Sequence, residues 1–343
     1  MILTAPARIR TRAISHLYVN AFKTKAMKKF IFLSSLFVCS TMFAQQQPLY
    51  TQYLQNSFVL NPAVAGLQGY TEIRSVIRNQ WTGFDNGNPK TNTVSLNSGW
   101  DQKKIGLGGY IFTDKLGPVS KTGLNGTYAY HFKVGKEALL SFGISGMFYL
   151  YRLDVSQLNF GPNDHSDKVL MSQGNFKAYN PNIGFGAFYR SKNFFAGFSI
   201  PQMLEIKISP SQDFYVMQER RHYYFNTGIS LKMSDNIDID PSILIKHVDG
   251  APTQVDALVR VDYKKMFYVG AAYRSGAALA LMFGYTYKDA FIFGYAYDVT
   301  TSDIGAYGRG THEIMLGYNI RRKPKEEPKT KTDAPPPPPQ EIK

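Results

Sequence analysis

The side chains most able to do chemistry here are six histidines, the serines around them and a set of charges recurring at alternate positions. His165 and Ser166 are adjacent, so as strand neighbours they would point to opposite faces and not form a nucleophile–base pair. They fall in the 151–179 stretch, which lacks alternation and reads as a surface loop. Asn163, Asp164 and Asp167 offer oxygens there, without the regular ligand spacing of a calcium loop. His131, His222 and His312 stand at the ends of alternating segments, where structural roles are expected. The chain has no glycine-rich phosphate loop, HExxH or CxxC. The expectation is a non-enzyme with no catalytic residue, cofactor or metal site.

The recurring charges are more telling. Alternation places Asp238, Asp240, Lys246, Asp256, Arg260, Asp262, Arg274 and Glu313 on one face of their segments, opposite apolar residues. Phe142, Ile144, Leu281, Phe283, Ile314 and Leu316 occupy the apolar face. Such a sheet is stable where bilayer lies on one side and a polar lumen on the other, the pattern of an outer-membrane β-barrel. The inward charges read either as a mutually paired network or as a polar seat for an inserted partner segment.

Fourteen segments carry this period: 71–77, 91–98, 105–113, 121–132, 138–150, 180–190, 194–200, 222–232, 237–247, 254–263, 267–274, 278–287, 290–298 and 311–320. The expected fold is all-β, an antiparallel barrel of about 14 strands. The connections after even-numbered strands are all short. The long ones, 78–90, 151–179, 201–221 and 299–310, all follow odd-numbered strands. Short periplasmic turns and long outer loops are the barrel asymmetry, and a soluble β-sandwich has no reason to sort loops by parity. Pro181 opens a strand, and Pro241 falls inside one, where a bulge is expected.

Met27-Lys28-Lys29, the apolar run Phe30–Phe43 and Ala44 read as a signal peptide over 27–44. Residues 1–26 read as an extension upstream of the working start. Seven of the 39 Lys and Arg and none of the acidic residues precede Gln45, so the net charge of +14 halves beyond it. No nucleic-acid motif accompanies that charge. Cys39 lies in the signal, so the remainder has no disulfide and no cysteine-ligated metal. Residues 45–70 lack alternation and read as a segment that lines or plugs the lumen, or leads into the first strand. Residues 321–343, with Pro335 to Pro339, read as a disordered periplasmic tail.

Several segments together resemble the PorP/SprF family of type IX secretion system membrane proteins. They are Tyr50-Thr51-Gln52-Tyr53, Asn61-Pro62-Ala63-Val64-Ala65-Gly66, Arg78-Asn79-Gln80-Trp81-Thr82-Gly83-Phe84, Gly106-Leu107-Gly108-Gly109 with Asp114-Lys115-Leu116-Gly117-Pro118, Tyr128-Ala129-Tyr130-His131, Gly294-Tyr295-Ala296-Tyr297-Asp298 and His312-Glu313-Ile314-Met315-Leu316-Gly317-Tyr318. They run in the family's order over most of the chain beyond the signal; the proline tail departs from the pattern. The resemblance implies an outer-membrane component that supports export or surface anchoring of a secreted protein, such as a gliding adhesin with a C-terminal sorting domain. It also implies contact with periplasmic components of the machine. On that reading Trp81, Phe84, Phe160, Phe214 and Tyr215 are candidate loop anchors for the partner. Lys103, Lys104, Lys264, Lys265, Arg321, Arg322 and Lys323 are candidate periplasmic docking residues, or a solvated rim beside lipid headgroups. The alternative function is a stand-alone channel or transporter for small solutes.

Overall fold

The computed structural model describes residues 47, 50–83, 87–100, 104–157, 176–208 and 217–321. The expectations for the signal, the tail, Phe84, Lys103, Phe160, His165, Ser166, Phe214, Tyr215, Arg322 and Lys323 lie outside them.

The chain forms a closed antiparallel barrel of 14 strands. In chain order they are β1 (Thr71–Asn79), β2 (Lys90–Trp100), β3 (Ile105–Leu116), β4 (Val119–Val134), β5 (Ala138–Leu153), β6 (Phe176–Arg190) and β7 (Phe194–Ile200). There follow β8 (His222–Ile229, resumed at Leu231–Lys232), β9 (Ile237–Val248), β10 (Gln254–Tyr263), β11 (Phe267–Arg274), β12 (Ala278–Tyr287), β13 (Phe291–Thr300) and β14 (Thr311–Ile320). Each strand pairs with its neighbours in sequence, and β1 pairs with β14, Thr71 opposite Ile320, to close the ring. Closure removes the free edges that would expose unpaired backbone groups to hydrocarbon.

The period-two pattern explains both surfaces. Phe142, Ile144, Leu281, Phe283, Ile314 and Leu316 all point outward and are exposed, Ile144 at 61%. Their neighbours Ser141, Ser145, Ala280, Met282, Glu313 and Met315 are buried inside. Every connection at one end of the barrel is short and the long ones all lie at the other, so the former end is periplasmic. Two of the periplasmic turns have both central residues in the left-handed region, Lys264 and Lys265 (φ 53° and 56°) and Lys288 and Asp289 (φ 50° and 54°). These turns, closed by Met266 N on the Tyr263 carbonyl and Ala290 N on the Tyr287 carbonyl, match the right-handed twist of the strands, which is why they form even without glycine.

Pro241 is accommodated differently from the expected bulge. Its register is unbroken, with Asp240 opposite Arg260 and Pro241 opposite Val259. On the other side, Gly228 faces Ser242 and Leu231 faces Ile239, so no residue has been inserted. The ladder simply lapses between them, where proline has no N–H to give, and β8 is split there.

Residues 50–70 lie inside the lumen as turns, one helical turn (Ser57–Leu60) and one 3-10 turn (Pro62–Val64). Tyr53, Phe58, Ala63 and Ala65 are buried against inward residues such as Leu258, Met282, Ala129 and Phe188. No helix among the described residues is long and apolar enough to cross a membrane.

The lipid-facing assignment predicts that Ile144→Arg, in the apolar band of β5, costs about 2–4 kcal/mol in unfolding measured from bilayers. Glu137→Arg, in an exposed turn, should stay within about 0.5 kcal/mol. Equal costs would contradict the assignment.

Candidate functional site

Six charged side chains form one alternating chain across the outer half of the lumen. Lys246 Nζ meets Asp256 at 2.7 Å, and Asp256 also takes Arg274 Nε at 3.1 Å. Arg274 reaches Asp298 at 3.2 Å, Asp298 takes Arg78 at 2.6 Å, and Arg78 ends on Glu313 at 2.9 Å. Every member is nearly or fully buried, Glu313 at 0% exposure. Removing an ion from water costs several kcal/mol, so such charges persist only where opposite charges pair with them. The barrel supplies the partners by register: Arg78 lies opposite Glu313, and Asp256 opposite Arg274.

The last link is the lumenal segment itself. Glu313 Oε2 accepts from the Thr51 backbone N–H at 2.8 Å and Oε1 from that of Gln52 at 2.9 Å. Thr51 Oγ1 donates to Asp298 at 2.8 Å and accepts from Arg78 Nη1, also at 2.8 Å. One carboxylate thus satisfies two successive backbone donors that no helix or strand occupies. Lower down, Tyr268 donates to Gln52 Oε1 at 2.7 Å and Tyr53 pairs with Ser242 at 3.0 Å. Burial pushes the Tyr53 phenol up to about 12, and the Tyr50 phenol up as well, so both stay neutral hydrogen-bonding groups.

Asn61 holds the middle of the segment. Its Nδ2 donates to the Ala187 and Phe198 carbonyls at 3.1 and 3.2 Å, and its Oδ1 accepts from Ala63 N at 2.9 Å. Near the periplasmic end, Gly66 N donates to Asn97 Oδ1 at 2.9 Å. His131 Nε2 donates to the Ala65 carbonyl at 3.0 Å, which leaves Nδ1 to accept from Ser141 at 2.7 Å. This serine–histidine contact is a structural clasp: its orienting group is a backbone carbonyl, and Ser141 is buried beneath the segment. Two glycines make the close passage possible. A Cβ at Gly143 would overlap the Pro62–Ala63 peptide, and one at Gly106 the Ala65 carbonyl.

Of the lumen residues named from sequence, Lys246, Asp256, Arg274 and Glu313 join this network. Asp240, Arg260 and Asp262 form a second cluster near the periplasmic end, with Arg260 reaching Asp240 at 2.6 Å and Asp262 at 2.8 Å. Asp238 stands half-buried opposite Lys232 and Asp262. Arg78, Asp298, Thr51 and Asn61 were not among the expected site residues. Their signal was present: Arg74, Val76 and Arg78 alternate inward along β1, as Ile292, Ala296 and Asp298 do along β13.

Trp81 sits at the outer mouth with φ 48°, its backbone N–H donating to Thr311 Oγ1 at 3.2 Å. Among the proposed docking cations, Lys104 is exposed at the entry to β3. Lys264 lies 5.3 Å from the Tyr263 ring centroid, and Arg321 lies 5.2 Å from that of Tyr70. Lys265 is exposed in the same turn. Tyr263 faces outward, so Lys264 leans toward the lipid side of the rim.

The closed 14-strand barrel with an apolar exterior defines an outer-membrane protein. The profile of the type IX secretion system membrane protein PorP/SprF matches residues 42–318. The chain belongs to the PorP/SprF family and is located in the cell outer membrane. A search of curated proteins found no match. Among solved structures, the toluene transporter TbuX of Ralstonia pickettii is similar at 11% identity and a TM-score of 0.47, over 77% of this chain and 93% of that one. The CymD monoaromatic hydrocarbon channel matches at 11% identity and 0.48, over 81% and 94%. The outer membrane protein Omp33 of Acinetobacter baumannii matches at 10% and 0.43, over 75% and 100%.

Removing the Glu313 carboxylate leaves Arg78 half-paired and two N–H groups without an acceptor. Glu313→Ala should cost about 3–5 kcal/mol and loosen the start of the lumenal segment. Chymotrypsin should then cut at Tyr50 or Tyr53 in the folded variant and not in the wild type. Equal protection would contradict the pinning role.

Proposed function

We propose that this protein is a non-enzymatic component of the type IX secretion system that supports export or surface anchoring of a secreted protein, such as an adhesin with a C-terminal sorting domain. The family match carries this reading. Three features of the structure support it. The lumen is occupied by a tightly bonded segment of the chain, which suits a seat or anchor better than a solute path. The long connections are confined to the outer end, where an exported protein is met. Cations rim the other end, where Lys264, Lys265 and Arg321 meet headgroups or an acidic component of the machine.

Trp81 is the described candidate for partner contact. A non-glycine residue at positive φ is uncommon and is held there by its surroundings. Here the holding groups are Thr82 N on the Gly310 carbonyl at 2.8 Å and the Thr311 contact. The backbone that carries the indole is thereby held at the mouth, where burial of the ring against a partner adds to affinity with little further ordering of the loop.

Deleting the gene should strip a particular surface protein from the cells while unrelated secreted proteins persist. Trp81→Ala should lower recovery of that protein with the barrel at normal levels. A deletion strain that keeps every surface protein but loses uptake of a small solute would replace this reading with the channel alternative.

A further inference from the structure

Among the described residues, the seam between β6 and β7 is incomplete. β7 has seven residues and is the shortest strand, whereas its neighbour β6 has 15. Their pairing ends where Phe185 faces Ile200. Beyond it Met203 N still donates to the Ile183 carbonyl at 2.8 Å. The chain then leaves the sheet, because the Asn182 side chain takes both backbone groups of Leu204, each at 3.0 Å. The segment continues into a short hairpin, Lys207–Ile208 with Met217–Gln218, whose Ile208 is buried among inward residues of β3 and β5. It therefore does not continue along β6.

In an antiparallel strand, N–H and C=O of one residue point to the same side, and alternate residues point to opposite sides. The Ile183 carbonyl points to the β7 side, so the backbone groups of Pro181, Tyr179 and Lys177 do too. Pro181 agrees with this: proline has no N–H to give β5 and is tolerated in a sheet only where that position faces an edge. Among the described residues nothing pairs with this side of Lys177, Tyr179 and Pro181. Their side chains point away from the lumen, and Tyr179 is 65% exposed with its ring stacked on Phe148. The edge lies at the long-loop end of the barrel, beyond the last residue of β7.

We infer that the edge of β6 at Lys177–Pro181 takes up an extended strand of the exported surface protein, extending the barrel sheet by one strand. The inference rests on the proposed function. An edge offers donors and acceptors at strand spacing, which an extended polypeptide matches and a lipid headgroup does not. Tyr179 and Phe148 provide a flat aromatic surface beside the edge for alternate side chains of the incoming strand.

Two measurements test it. In hydrogen exchange on the purified barrel, the Lys177 and Tyr179 amides should exchange at least about tenfold faster than those of Ala178 and Asn180, which face β5. Slow exchange at Lys177 and Tyr179 would mean the chain covers its own edge and would overturn the inference. In cells, Lys177→Pro and Tyr179→Pro each remove one edge donor and keep an extended backbone. Each should lower retention of the surface protein lost on gene deletion, by about fivefold to tenfold, with folded barrel at wild-type levels by heat-modifiable mobility. Asn180→Pro breaks a ladder bond to β5 and should lower the barrel itself. Full retention in a proline variant that folds would overturn the strand-pairing inference and leave the secretion reading standing. A deletion strain that loses no surface protein would overturn both. Because Lys177 lies at the strand end, Lys177→Pro keeps the test decisive if Tyr179→Pro does not fold.

Discussion

Burying the Arg78 guanidinium between two carboxylates, Asp298 at 2.6 Å and Glu313 at 2.9 Å, constrains the whole interior. A cation in that position is tolerable only if strands β1, β13 and β14 stay adjacent and in register, which closure of the barrel enforces. The two carboxylates in turn need more donors than Arg78 can give. The surplus is met by Thr51 and Gln52 at the start of the lumenal segment, and by Arg274, which carries the charge alternation on to Asp256 and Lys246. Barrel closure, charge burial and occupation of the lumen are therefore one coupled arrangement. Removing any one would leave a buried ion or backbone group unsatisfied.

The remainder of the lumenal segment follows from that anchor by steric fit. Turns along the segment satisfy part of its backbone internally, as Gln55 N on the Gln52 carbonyl and Leu67 N on the Val64 carbonyl do, and the wall supplies further partners through Asn97, His131 and the carbonyls of Ala187 and Phe198. Glycines at 106 and 143 let the two backbones touch. The interior is thus a packed interface between wall and segment. The outer mouth, by contrast, offers a half-buried tryptophan on a held backbone and an incomplete sheet edge. The division of labour fits a protein whose lumen provides rigidity and whose outer rim meets a partner.

Much of this was legible in the sequence, for a physical reason. An outer-membrane strand must alternate because bilayer and lumen impose opposite demands on its two faces, so β9 through β14 stand within two residues of their expected bounds. Where the pattern is weaker the reading fell short. β6 begins at Phe176, four residues before expectation, because its outer end carries Lys177 and Tyr179 on an edge that needs no apolar face. Pro241 suggested a bulge, but a local lapse in hydrogen bonding proved sufficient. The lumenal segment has no periodicity, since its partners are scattered along the chain, from Arg78 and Asn97 to Ala187 and Glu313. Arg78 and Asp298 were readable as inward positions. Their pairing was not, because strands β1 and β13 meet only through closure of the ring.

The central claim is that this segment occupies the lumen of the folded protein in the membrane. Single-channel recording of the purified wild-type protein in a planar bilayer tests it directly. The bonded segment predicts a barrel that inserts without a steady open-pore conductance. A stable, porin-like conductance from the intact wild-type protein would contradict it.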